Sequence, residues 1–465
     1  MTPGARIQAA IELLAAIQAS PQPADGVAST YFRTHRYIGA KDRKAIGDRV
    51  WRLLRRRARL GWWASHAAAR ALDRRPGHAA QPSTSTSPGA ALDEARRLML
   101  ADLVLAQGMT QDGLDGLREE PYGVPGLTQD ERRIVAAMTG QPLEHSAMPR
   151  WVRHEYPEWL EATLTRRFGA AMADEVAALN IEAPLDLRVN TLKVTRDVAI
   201  TRLAAEGIAA SVTPWSPLGL RLGVRIGLGS SPAFRDGLVE VQDEGSQMVA
   251  LLADARPGQA VLDYCAGAGG KTLALAAAMA NKGRLVACDV SEGRMERSAV
   301  RLKRAGVHNV TRRVLDDTSG KWLKRAQGSY DRVLVDAPCS GTGTWRRNPD
   351  AKWRLSPDDV AELVALQRRI LDTAARLVRP GGRLIYATCS LLPDENEDQI
   401  SRFLADTPAF HGLPVATVWQ AAMGTPWPLG EAEALRLTPA STGTDGYFVV
   451  VLERDTGGGQ ISEDS

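Results

Sequence analysis

Cysteine is scarce in this chain: four in 465 residues, at positions 265, 288, 339 and 389. So few thiols cannot staple a small scaffold, and reduced cysteines are expected. The seven histidines have no ligand spacing to one another or to cysteine, so no metal site is expected. No run of about eighteen residues is both apolar and free of charge, which argues against a membrane span. The first residues lack a basic segment followed by an apolar core, so no export signal is read and a cytoplasmic chain is expected. Aromatic residues make up only 5%, but 44% hydrophobic and 24% charged residues are the proportions of an ordinary globular protein. Neither sign of charge dominates, with 58 basic against 54 acidic side chains. The placement of charge therefore matters more than its sum. No internal repeat is present.

Residues 5–140 read as helical, starting with Ile11, Leu13, Leu14 and Ile17 on one face. The segment from Lys41 to Leu60 concentrates lysine and arginine, including Arg55, Arg56 and Arg57, and runs into Trp62 and Trp63. Such a run is either a solvated helix face or a surface for RNA phosphates. His78 to Ala90 is a low-complexity stretch rich in Ser, Thr and Pro, expected to be a mobile loop. From Pro149 the pattern is that of a small α+β domain, with strands at Leu185–Asn190, Ala209–Val212 and Gly219–Leu222. From Val239 strands and helices alternate, which predicts an α/β fold with a parallel, doubly wound sheet. The domains are expected at 1–144, 145–237 and 238–455, followed by a disordered tail at 456–465.

Two loops at predicted strand ends carry cysteine. Tyr330–Val335 delivers Asp336-Ala337-Pro338-Cys339, and Gly382–Ala387 delivers Thr388-Cys389-Ser390. If these strands are neighbours, both thiols face one cleft; a disulfide or two small buried hydrophobes are the plainer readings. A third strand end opens Cys265-Ala266-Gly267-Ala268-Gly269-Gly270-Lys271-Thr272, a glycine-rich turn into a helix. An NTPase loop requires glycine where Cys265 stands, and Asp263 would set negative charge beside phosphates. An adenosyl compound without phosphate fits better. Asp289, ending the next strand, suits the ribose hydroxyls, Asp263 a methionine ammonium, and Asp316 or Asp317 the adenine amino group. S-adenosylmethionine is therefore the expected cofactor.

A methyl donor beside two cysteines points to a carbon that is not nucleophilic unaided, such as carbon 5 of a pyrimidine. A thiolate adding at carbon 6 activates it, and a second thiol or base helps remove the carbon 5 proton and expel the enzyme. Asp336 is placed to act near the ring nitrogen. These motifs, with Pro393, Glu395-Asn396-Glu397, Arg188-Val189-Asn190, Gln367 and Asp445-Gly446-Tyr447-Phe448, resemble the Nop/Sun family of RNA cytosine-5 methyltransferases. Within it the chain is most similar to the bacterial small-subunit ribosomal RNA methyltransferase B group (Sun/Fmu).

The resemblance implies a class I S-adenosylmethionine-dependent methyltransferase fold (Rossmann-like), a small α+β domain, and an all-α, NusB-like, RNA-binding amino-terminal domain. It implies Cys389 as nucleophile, Cys339 as the thiol assisting release, and cofactor contacts from Ala266 to Lys271, Asp289, Asp316 and Asp336; Cys265 begins that loop. The substrate implied is RNA, 16S ribosomal RNA first, and a monomer is expected. The family usually has Ala-Pro where this chain has Gly267-Ala268. A rival of another class is an RNA-binding ribosome-assembly factor that keeps the cofactor fold without turnover.

Overall fold

A computed structural model of the chain describes residues 1–72, 88–430 and 432–456. The expected loop up to residue 87 and the expected tail from 457 lie outside the described residues. The chain packs as two compact units, Met1–Ile181 with Trp345–Leu355, and Glu182–Thr344 with Ser356–Ser465.

The first unit is helical. Helix Pro3–Gln18 starts on Thr2, whose hydroxyl accepts from the Ala5 amide, with proline in the first turn where its missing N–H costs nothing. Its Ile7, Ile11 and Leu14 are buried. Helix Gln129–Met138 begins with a capping box between Thr128 and Glu131. Helix Pro88–Ala101 starts at Pro88, so the predicted loop ends before Ala90.

The dense arginines at the end of helix Ala40–Arg55 and just after it depart from the expected open basic face. Arg52 and Arg56 reach buried Asp102, Arg57 pairs with Glu94 at 3.1 Å, and Arg59 pairs with buried Glu155 at 3.0 Å. Arg55 donates to the Arg346 carbonyl at 2.7 Å. Glu155 also accepts from the amides of Ala58 and Arg59, placing an anion at the start of helix Arg57–Ala71. These cations hold the bundle together.

Segment Trp345–Leu355, which follows the Cys339 loop in sequence, belongs to this helical unit. Asp350 accepts from the Ala24 amide at 3.0 Å, at the start of helix Ala24–Thr34, and Arg354 donates to the Ser20 and Ile17 carbonyls. Lys352 is buried, donating to the Glu155 carbonyl and the Asn180 side chain, and burial pulls its pKa down to about 7.

The second unit contains two sheets. The smaller is antiparallel, ordered Ala210–Val212, Gly219–Leu222, Leu185–Val189, Val239–Val241. The larger runs Phe410–Leu413, Tyr447–Arg454, Val378–Thr388, Tyr330–Asp336, Ala260–Asp263, Arg284–Asp289, Val310–Val314, with Leu435–Leu437 also paired to Tyr447–Arg454. Its last five strands in that order are parallel, and the inner ones are buried on both faces, while edge strand Val310–Val314 is largely exposed. The sheet is mixed rather than wholly parallel, because Tyr447–Arg454 pairs antiparallel with each of its three partners, Phe410–Leu413, Leu435–Leu437 and Val378–Thr388. Chain order reverses between Ala260–Asp263 and Tyr330–Asp336, and at such a switch the strand ends splay to leave a crevice.

Candidate active site

A cleft of about 820 Å³ opens at this switch point. Its wall includes Asp263, Cys265 to Ala268, Gly270, Lys271, Asp289, Asp316, Asp317, Asp336, Cys339 and Cys389. Every sequence-predicted site residue but one therefore lines a single cavity. The exception is Gly269, which adopts φ 81° as the cap of helix Gly270–Ala278. A side chain there would press on Ser298 at 3.1 Å, so Gly269 turns the chain without facing the cleft. The apolar lining from Val290 and Leu315, just after strands, and from Leu323 and Ile370, on helices, went unread in the sequence, because single apolar residues carry no signal of which face they turn to the cleft.

The acids differ in what already holds them. Asp263 is fully buried; its Oδ2 accepts from Thr272 Oγ1 at 2.6 Å, while its Oδ1 has no hydrogen-bond partner among the described residues. Burial pushes its pKa up to about 7. Asp289 accepts from the amides of Gly267 and Ser291, both at 2.8 Å, and so ties the glycine turn to the strand end. Asp316 caps the turn Asp317–Ser319 through Thr318 and Ser319, and those hydrogen bonds lower its pKa. Asp336 forms an ion pair with Lys271 at 2.6 Å, and the Lys271 ammonium lies 5.5 Å from the Tyr447 ring centre. That pairing was not legible: Lys271 was read only as part of the glycine turn.

The two cysteine-bearing strands are neighbours, with Asp336 beside Ala387. Cys339 Sγ and Cys389 Sγ stand 3.4 Å apart as free thiols, not as a disulfide. The hydrogen bond to Cys389, burial and the charge of Glu395 all push the Cys339 thiol up. Gly343, where a Cβ would strike the Gly446 carbonyl, lets this loop lie against the start of the last strand. The Gly343 amide donates to the Cys389 carbonyl at 2.9 Å, joining the two cysteine loops directly.

A doubly wound sheet with acids at successive strand ends around a glycine turn defines a class I S-adenosylmethionine-dependent methyltransferase. The residues present fit that cofactor: the orphaned Asp263 Oδ1 awaits a cationic donor, and the chemistry of Asp289 suits ribose hydroxyls. The profile of the family described as 16S rRNA methyltransferase RsmB/F matches residues 250–453, and that of the RsmF/B-like ferredoxin-like domain matches 156–227. The ribosomal RNA small subunit methyltransferase B of Sodalis glossinidius is 38% identical over 307 residues, covering 66% of this chain and 67% of that protein. Its Pseudomonas putida counterpart is 35% identical over 329 residues, 70% of each. Among solved structures, PH0851 superposes with a TM-score of 0.75 at 26% identity over 98% of this chain and 99% of that one. A methyltransferase homologue from Pyrococcus horikoshii gives 0.55 at 30% identity over 65% of this chain and 97% of its own. The chain belongs to the RsmB/F family of 16S rRNA methyltransferases.

Proposed function

We propose that this protein methylates carbon 5 of a cytosine in 16S ribosomal RNA through a covalent cysteine adduct at carbon 6. The observation that carries this reading is the pair of free thiols, 3.4 Å apart on one wall of the cofactor cleft. Methylation of an oxygen or an exocyclic nitrogen needs no thiol; activation of a pyrimidine carbon needs one to add and a proton acceptor to finish.

S-adenosylmethionine, when bound, supplies an electrophilic methyl group. Cys389 adds to carbon 6, which makes carbon 5 nucleophilic enough to be alkylated. Asp336, held by Lys271, handles the proton at the ring nitrogen. Cys339 stands 3.4 Å from Cys389 as the second sulfur, its thiol pushed up by its hydrogen bond to Cys389, by burial and by Glu395. The carbon 5 proton passes to a base, and Cys339 assists the departure of Cys389 as the ring double bond re-forms. Asp263, Asp289 and Asp316, with the turn from Cys265 to Lys271, hold the cofactor.

The division of labour is placed along the expected domains: residues 1–144 as a NusB-like RNA-binding part, 145–237 as an α+β part whose sheet Val239–Val241 completes, and 238–455, apart from Trp345–Leu355 in the helical unit, as the catalytic part of a cytoplasmic monomer. Cations for RNA phosphates are available at Arg33, Arg36 and Arg43, which line a shallow concavity with Ser29 and Phe32. The deciding experiment is bisulfite sequencing of ribosomal and transfer RNA from a deletion strain. Loss of one 5-methylcytosine in 16S rRNA is expected. No loss anywhere overturns the reading and favours a non-catalytic assembly factor; loss in transfer RNA overturns the substrate.

A further inference from the structure

One buried carboxylate joins the two cysteine loops. Glu395 ends the short turn Pro393–Glu395 and is fully buried. Its Oε1 accepts from the Ser340 amide at 2.8 Å and from Gln367 Nε2 at 2.9 Å. Its Oε2 accepts from the hydroxyls of Ser340 and Ser390. Ser340 follows Cys339, and Ser390 follows Cys389. The four donors use the four acceptor positions of an ionised carboxylate, which a neutral side chain of this size cannot reproduce. Gln367, from helix Pro357–Leu377, also donates to the Pro338 carbonyl at 2.9 Å, so the residue before Cys339 is held as well. The Glu395 carbonyl accepts from the Tyr386 hydroxyl at 2.7 Å, which fixes the brace to the strand leading into Cys389.

We propose that Glu395 is a positioning residue whose carboxylate sets the spacing of the Cys339 and Cys389 thiols. It is not among the residues lining the cleft; it acts through the residue after each thiol. Its kinetic consequence rests on the function proposed above, whereas the spacing itself does not. A carboxylate taken out of water among hydroxyl and amide donors is costly unless every lone pair is used, and here each is. The alternative is that Glu395 merely fills space, in which case the thiol pair would survive its removal.

The test uses the full chain with Glu395→Ala and Glu395→Gln. The first measurement needs neither RNA nor cofactor: diamide is reduced to its hydrazine as it oxidises the two thiols to a disulfide, and peptide mass spectrometry times the Cys339–Cys389 link. Glu395→Ala is expected to slow the link at least about tenfold, as loss of the hydrogen bonds holding both loops implies. Methylation kcat is expected to fall about a hundredfold, as misplacement of a reacting group by roughly 1 Å does, with S-adenosylmethionine affinity unchanged within about twofold by calorimetry. Glu395→Gln keeps the size but must turn one serine hydroxyl into an acceptor; it is expected to fall between parent and Glu395→Ala in both readings, and it decides the matter should the alanine variant not fold. A parent-like link rate in either folded variant overturns the proposal, as does a fall in cofactor affinity parallel to kcat. Should the parent methylate no cytosine, the function reading fails while the link rates still decide the brace.

Discussion

Asp263→Asn separates what burial does to this acid from what a ligand does. The carboxyl ends strand Ala260–Asp263, fully buried, with one oxygen on Thr272 and the other unpartnered in the cleft. Burial, opposed by the Thr272 hydrogen bond and the Lys271 charge and reinforced by Asp336 and Asp289, raises its pKa from 3.8 to about 7. Between those two values the folded protein retains a proton that the unfolded chain has released. Stability present below pH 4 is therefore lost as pH rises to about 7, and the loss is complete above that. A shift of about three units corresponds to roughly 4 kcal/mol, an upper figure because buried sites relax. Asparagine cannot ionise, and its amide oxygen can still accept from Thr272. The ligand-free variant is expected to melt above the parent at pH 8, with the gap closing as pH falls toward 5. Cofactor affinity at pH 8 should fall roughly ten- to a hundredfold, the worth of one charged hydrogen bond. Scanning calorimetry from pH 5 to pH 8 and titration calorimetry with S-adenosylmethionine read both. Melting curves that stay parallel across that range would refute the burial argument, and undiminished affinity would refute the ammonium contact.

The remaining predictions test other parts of the molecule. Cys389→Ala is expected to abolish methylation and leave no RNA adduct, while Cys339→Ala accumulates an adduct through Cys389 on denaturing gels; the reverse pattern would exchange their roles. Replacing Arg33, Arg36 and Arg43 together with alanine should weaken RNA binding and lower the slope of log affinity against log salt by up to about three, since each phosphate contact contributes about 0.9. Arg57→Ala, which breaks the buried pair with Glu94, should instead lower the melting temperature and leave that slope alone; a slope that follows Arg57 would restore the basic stretch as the RNA face. Asp350→Ala removes the acceptor at the start of helix Ala24–Thr34 and should cost about 1–2 kcal/mol in calorimetry, as loss of a helix cap does. An unchanged melting temperature would show that water satisfies the Ala24 amide equally well.

The larger sheet was legible wherever a strand was long and buried on both faces. Leu285–Cys288 and Val333–Val335 are unbroken apolar runs, and the residue after such a run falls at a strand end whatever the rest of the fold does. That is why three acids and two cysteines could be assigned to one cleft from order alone. Strands Phe410–Leu413 and Leu435–Leu437 were not legible: three or four residues with histidine, glycine or arginine among them form no period. Nor could local pattern assign Trp345–Leu355 to the helical unit, since its anchors Ser20, Ala24 and Glu155 are some two to three hundred residues distant.

The arginines and Glu395 expose the same limit from opposite sides. A sequence counts charges but does not reveal their partners, and a cation's partner decides whether it meets solvent or another part of the chain. Arg57, Arg52 and Arg59 find acids 37, 50 and 96 residues away, so a stretch that reads as an open basic face is largely consumed by the bundle. Glu395 enters the sequence reading only as part of a motif with no role of its own, and its donors Gln367 and Ser340 come from 28 and 55 residues upstream. The cleft was legible because its groups are placed by strand ends, which local pattern defines. What braces the cleft was not, because a brace joins loops whose separation in sequence bears no relation to their distance in space.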